Sequence, residues 1–308
     1  MSSPTVIHSE FLNQDIDLDE LARLVASVRG GRCRLTPLAV KCTYPVFRGD
    51  CSDGTAVFVK VGRLDEWRQT ARLLSDVGRC PFFPSFVTDR PLDYRGQAVF
   101  VMNWLPATVV YPEDFTPRQA RAFAAGCVTL SAALSRTHEF IPLASSAQDP
   151  IRLFGVLEGY CRRHPLAGRL LRALREIPEA EWTYGSRPLA VIHGDFHAKN
   201  FGFDGDVFAR VVDFDKLTQG LACADCTNAL AERFSCRHLS LSARRRLAAV
   251  ARDVVEATPW SRADFVIAAN VLRLSFAARR IEKHPDAPWV AVDVLLRDRK
   301  IREFLDCL

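Results

Sequence analysis

Residues 188–215 read PLAVIHGDFHAKNFGFDGDVFARVVDFD, and this stretch constrains the chain more than any other. Two apolar, strand-like runs, 188–193 and 207–214, interrupt a half of the chain that otherwise shows helical periodicity. Around them stand an acid, an amide and a second acid at short spacing: Asp195, Asn200 and Asp213. A carboxylate just beyond a strand can accept a hydroxyl proton as that oxygen attacks phosphorus. The amide of Asn200 follows Asp195 by five residues, and the carboxylate of Asp213 lies beyond a hairpin. Such a pair suits Mg2+ on nucleotide phosphates, because magnesium takes a few hard oxygen ligands and keeps room for phosphate and water. Phosphoryl transfer asks little covalent chemistry of a protein, so positioning and charge neutralisation do most of the catalysis. The expected roles are base for Asp195 and metal ligand for both Asn200 and Asp213.

The pattern HGDxHxxN followed by DFD resembles the catalytic and metal-binding segments of the kinase-like phosphotransferases, the superfamily of aminoglycoside phosphotransferases and choline kinases. Protein kinases carry HRDxKxxxN and DFG instead. Here His197 stands at their lysine position and Asp215 replaces the glycine, both as in the small-molecule branch. The resemblance implies an α+β, bilobal, protein-kinase-like fold. It would have a small antiparallel-sheet lobe for nucleotide over residues 1–103 and a larger, mainly helical lobe for catalysis and acceptor over 104–308. It also implies a Mg2+-dependent transfer from ATP or GTP to a hydroxyl of a small molecule such as an antibiotic, a sugar or a related metabolite.

Further positions follow from the same resemblance. Lys60, ending the run TAVFVKV, stands where the family's strand lysine meets ATP phosphates. Such a lysine is costly to bury unpaired, and Glu66 on the next helix is its available partner. The family places that glutamate about one turn later, near Thr70. The loop 40–45 takes the phosphate-covering position without glycines, and Thr43 is its candidate phosphate donor. Met102 to Pro106 resembles the hinge, so backbone groups of Asn103 and Leu105 are expected at the adenine edge. His138, after the long helix, resembles the family's Leu-x-x-Leu-His pattern, and Asp225 resembles the acid that ties the catalytic loop to the helical lobe. His193 is read as orienting the loop rather than moving protons.

Local signals give the elements. Leu18, Leu21, Leu24, Val25 and Val28 form one apolar stripe, with Asp17 or Asp19 at the helix start and Gly30-Gly31 at its end. Strand-like runs at 34–40, 45–50 and 55–61 follow, the last two joined through Ser52-Asp53-Gly54. A helix is expected over 64–77 and short strands at 86–88 and 98–102. Thr116-Pro117-Arg118-Gln119 is a capping box, and Ser261-x-x-Asp264 is a second helix start. Further helices are expected within 150–176, near Asp225 and over 240–256.

Composition removes other classes. At 308 residues, 48% hydrophobic and 25% charged, the chain has ordinary globular composition and enough length for a large core. No apolar run is long enough for a bilayer, and the start MSSPT shows no basic and apolar leader, so a soluble, cytoplasmic protein is expected. A net charge of +5 with no aromatic interleaving excludes nucleic acid as the expected partner. The ten cysteines are scattered in apolar contexts and read as small buried hydrophobes. Cys223, Cys226, Cys236 and His238 have a loose zinc-like spacing, but the first pair brackets Asp225 at a helix start and is better explained by packing.

The helical half is net basic, which argues against a strongly cationic acceptor and for a neutral or anionic hydroxyl compound. Two other readings stay open. A protein kinase of this architecture conflicts with His197, Asp215 and the missing Ala-Pro-Glu segment. A pseudokinase scaffold conflicts with the intact Lys60, Asp195, Asn200 and Asp213. The sequence does not disclose the oligomeric state.

Overall fold

Side chains alternate between the two faces of the sheet along Ala56–Gly62 and Gln97–Asn103, which builds the first unit of the molecule: valines on one face, larger side chains on the other. The computed structural model describes residues 6–9, 14–38, 44–77, 80–137, 149–164, 172, 175–214, 216–234, 236, 238–285 and 302–307. The chain divides into two compact units, one of residues 1–106 with 210–215, the other of 107–209 with 216–308.

In the first unit, β1 (Val6–Ser9) pairs antiparallel with β2 (Gln14–Asp17), which leads directly into α1 (Leu18–Arg29). Asp17 caps α1 by accepting from the backbone N–H groups of Asp19 and Glu20, and Gly30 ends it at φ 73°. Then follow β3 (Cys33–Pro37), β4 (Val46–Cys51), β5 (Ala56–Gly62), α2 (Leu64–Val77), β6 (Leu92–Tyr94) and β7 (Gln97–Asn103). The five strands form one antiparallel sheet in the order β3-β4-β5-β7-β6. One face buries Val57, Val59, Val61, Val99 and Val101 with Leu21 and Val25 of α1. The other buries Phe100 and Met102 with Phe58 and with Trp67 and Leu74 of α2. The run at 86–88 is no strand: it makes a single bridge from Phe86 to Met102 and one bond from the Val87 N–H to Val101 O.

The second unit is mainly helical, with α3 (Pro117–Leu134), α4 (Pro150–Arg163), α5 (Ala224–Phe234), α6 (Leu241–Glu256) and α7 (Arg262–Lys283). Both expected capping boxes form, at Thr116 with Gln119 and at Ser261 with Asp264. Short strands carry the motif residues. β8 (Ala190–Ile192) pairs antiparallel with β11 (Thr218–Gly220). β9 (Phe201–Asp204) pairs with β10 (Val207–Val211). The α+β reading therefore holds: a five-stranded antiparallel sheet in one unit and helices in the other. Among the described residues no helix is long and apolar enough to cross a membrane.

Candidate active site

The loop after β8 is held from several sides. Asp225, in the first turn of α5, is 6% exposed and accepts from the backbone N–H groups of His193 (2.7 Å) and Gly194 (3.1 Å). Burial raises its carboxyl above the ordinary range, opposed by the nearby His193 and by the two N–H bonds. Phe196, fully buried, stacks on Phe201 at 5.1 Å and lies near Phe123 of α3 at 6.1 Å. Asn228 of α5 donates to Phe196 O. Gly194 has φ 75°, and a Cβ there would come within 2.1 Å of Lys216 O, so only glycine fits. The sheet register explains this closeness: Thr218 faces Ile192 and Gln219 faces Val191, so the strand approaching β11 returns beside the loop.

Asp195 is presented by this fixed turn. Its Oδ2 receives Lys216 Nζ at 2.6 Å, and His197 Nε2 lies 4.0 Å from the same oxygen. Among the described residues, no hydrogen bond engages the other oxygen, Oδ1. Asn200 donates through Nδ2 to Asp195 O at 2.9 Å, and its N–H bonds His197 O. With Nδ2 so engaged, the amide oxygen of Asn200 keeps its accepting capacity, the kind of atom a hard cation takes. Asp195 and Asn200 are thus brought together.

Lys60 and Glu66 also meet. Lys60 Nζ lies 3.9 Å from Glu66 Oε2, with the lysine side chain 15% exposed. It stands over the rings of Tyr44 and Phe100 at 5.0 and 5.3 Å. The Tyr44 hydroxyl donates to Glu66 Oε1, while Glu66 Oε2 is buried without a hydrogen bond. Only Arg63 separates β5 from α2, which puts the first turn of the helix beside the end of the strand. The partner therefore comes one turn earlier than at Thr70.

Asp213 belongs to the first unit and has φ 69°, a left-handed conformation uncommon for a residue with a side chain. Its neighbours are anchored: the Val211 N–H donates to Phe82 O at 2.8 Å, and Phe214 packs edge-on against Phe83 at 4.9 Å. The Asn103 N–H is already engaged by Ser85 O, and its side chain lies between Ser85 and Arg29. Trp104 N–H bonds Ala56 O, and Leu105 follows outside any regular element. Thr43, His138 and Asp215 lie outside the described residues.

Among the described residues no group of three or more His, Cys, Asp and Glu side chains is arranged to hold a metal ion. Cys223 and Cys226 are fully buried, and Cys226 is hydrogen-bonded to Cys127 of α3. Burial pushes the thiols of Cys127 and Cys223 upward, which suits packing and disfavours the thiolate that zinc requires.

Lys216 is the site residue that the sequence reading missed. Beside an acidic pair, a lysine reads as a solvated charge; only the pairing of 190–192 with 218–220 turns it onto Asp195.

Comparison with known proteins finds the same fold elsewhere. The chain shares its fold with a macrolide 2'-phosphotransferase from Brachybacterium faecium at a TM-score of 0.62 and 14% identity, covering 94% of this chain and 97% of that one. A spectinomycin phosphotransferase gives 0.57 at 12% identity, covering 95% of each. An aminoglycoside phosphotransferase from Alicyclobacillus acidocaldarius gives 0.52 at 14% identity, covering 88% and 90%. No curated protein sequence matches. The profile described as phosphotransferase enzyme family matches residues 54–265. That span takes in Lys60, Glu66, Asp195, Asn200 and Asp213, and with it the chain belongs to the phosphotransferase enzyme family.

Proposed function

We propose that this protein is an O-phosphotransferase that moves the γ-phosphoryl group of ATP or GTP, with Mg2+, to a hydroxyl of a small molecule. The observation that carries the reading is the presentation of Asp195. It stands on a turn fixed through two backbone N–H groups to a buried carboxylate, with one oxygen paired and the other open. The sheet unit, read as residues 1–103, would take the nucleotide, and 104–308 would supply catalysis and the acceptor site. Support for a small-molecule acceptor comes from the relatives of shared fold, which include macrolide and spectinomycin phosphotransferases.

Lys60, held by Glu66, is suited to nucleotide phosphates, being cationic, mostly buried and kept in place by aromatic rings. Thr43 is retained as a phosphate donor on the preceding loop. At the adenine edge, Asn103 offers its carbonyl, since its N–H is engaged, and Leu105 its backbone. Asn200, through its amide oxygen, and Asp213 are retained as the proposed ligands of a hard divalent ion. Bound there, Mg2+ would neutralise phosphate charge during transfer. Asp195 Oδ1 accepts the acceptor's hydroxyl proton as that oxygen attacks phosphorus. Lys216 keeps Oδ2 occupied and so fixes which oxygen faces the acceptor. The buried thiols suit a reducing compartment, in keeping with the proposed cytoplasmic location.

The test is transfer from γ-labelled ATP and GTP with Mg2+ to a panel of hydroxyl-bearing antibiotics, sugars and nucleosides, with Asp195→Ala beside wild type. The expected result is transfer that falls by roughly 10²–10⁴-fold in the variant while nucleotide binding persists. Wild-type turnover in Asp195→Ala would remove the base assignment.

A further inference from the structure

Just before β4, the chain lays Tyr44 over the pair formed by Lys60 and Glu66. The Val61 N–H donates to Pro45 O at 3.1 Å, and Val46 faces Lys60 across the strands. The segment that carries Tyr44 is therefore tied to β5 at the lysine. Tyr44 is 5% exposed; its hydroxyl donates to Glu66 Oε1, and its ring centre lies 5.0 Å from Lys60 Nζ. One side chain thus touches both partners, and it stands at the end of the loop 40–45 that is expected to cover phosphates.

The pair needs such a third member. At 3.9 Å the contact between Lys60 Nζ and Glu66 Oε2 is long for an ion pair, and Oε2 is buried with no hydrogen bond. A buried carboxylate short of donors draws the nearest cation toward it. Gly62 places no side chain beside them, where a Cβ would lie 3.3 Å from Glu66 Oε2 and 3.7 Å from Lys60 Cε. The Tyr44 hydroxyl supplies the restraint. By holding Oε1 it fixes the rotation of the carboxylate, while the ring gives the ammonium a face to stand on. Without the hydroxyl, Glu66 keeps its charge and loses a donor, and Lys60 Nζ closes on it. A lysine drawn onto Glu66 meets a phosphate less well.

We infer that Tyr44 is a positioning residue of the nucleotide site: its hydroxyl holds Glu66 so that Lys60 meets the nucleotide phosphates. The inference rests on the role proposed for Lys60 and adds to it the residue that sets the lysine's place.

Isothermal titration calorimetry of the full-length protein, wild type against Tyr44→Phe, measures affinity for Mg-ATP, Mg-GTP and the nucleoside of whichever binds more tightly. The phenylalanine keeps the ring and removes only the hydroxyl. Affinity for the Mg-nucleotide should fall by about tenfold, the scale of one hydrogen bond to a charged group. Affinity for the nucleoside, which has no phosphate, should change by less than about twofold. In a Lys60→Met background, Tyr44→Phe should likewise change Mg-nucleotide affinity by less than about twofold, because its effect passes through the lysine. Melting curves report that each variant is folded, and the nucleoside comparison stands by itself if Lys60→Met does not fold.

A proportional loss for nucleoside and nucleotide would make Tyr44 merely structural and overturn the inference. So would an unchanged nucleotide affinity in Tyr44→Phe, or an equal loss once Lys60 is replaced. Each of these leaves the phosphotransferase reading standing. If wild type binds neither nucleotide, or Lys60→Met binds it as wild type does, the role of Lys60 falls and the inference with it.

Discussion

Asp195 and Lys216 are 21 positions apart and share an ion pair of 2.6 Å. The lysine side chain is 57% exposed, so the pair adds little to stability, and its significance is positional. With Oδ2 occupied, the carboxylate has one oxygen to offer and loses the freedom to rotate. Lys216→Met should therefore leave the melting temperature nearly unchanged while lowering kcat by on the order of tenfold or more, an alignment effect rather than a folding one. Lys216→Arg should recover part of the loss, because a cation returns to Oδ2 in altered geometry. Steady-state kinetics with the melting curve of each variant checks this. A fall in stability matched to the fall in rate would make Lys216 merely structural.

At the scale of elements, α5 acts as the clamp of the turn that presents Asp195. Asp225 sits in its first turn, Asn228 one turn on, and Arg233 near its end is ion-paired with the buried Glu113. Asp225→Asn sets an amide NH2 against one of two backbone N–H donors, which should cost about 1–3 kcal/mol and reduce turnover by displacing Asp195. The pH dependence has a definite sign. The folded-state value of Asp225 is raised, because burial disfavours its charge. Its contribution to stability is therefore fully present below the ordinary carboxylate value and is lost as pH rises through the higher folded value. Thermal unfolding of wild type and Asp225→Asn across the acid range should differ in slope in that direction. Parallel curves would show that the folded and unfolded values are the same.

Elements with strong periodicity or caps were legible from sequence. The helix expected over 64–77 is Leu64–Val77, and Thr116 and Ser261 cap where their boxes said they would. The short strands were legible only in part. β8 falls inside the strand-like run 188–193, but β6 and β11 have three residues each and β1 and β2 four, too few to show alternation. The 86–88 run, apolar enough for a strand, makes only one bridge because Ser85 and Val87 alone bond β7.

For the whole molecule, the motif spacing was enough to place Asp195 beside Asn200, since both lie on one tight loop. The pairing of Lys60 with Glu66 was legible as well, because a one-residue connection leaves little choice of geometry. Lys216 was not, as its place depends on pairing between elements far apart in sequence. The proposed metal ligands give a prediction at this scale. Nucleotide should raise the melting temperature of wild type strongly with Mg2+ and weakly with a chelator present. Asp213→Ala should behave in Mg2+ as wild type does with chelator, as differential scanning fluorimetry would show. Equal shifts with and without metal would remove the ligand roles of Asn200 and Asp213. Finally, the 2.1 Å approach between a Cβ at position 194 and Lys216 O reaches beyond that glycine. In a saturation screen scored for activity, every replacement of Gly194 should be as damaging as losing Asp195, although position 194 carries no functional group. A map of intolerant sites drawn from such a screen would overcount the chemistry by one residue.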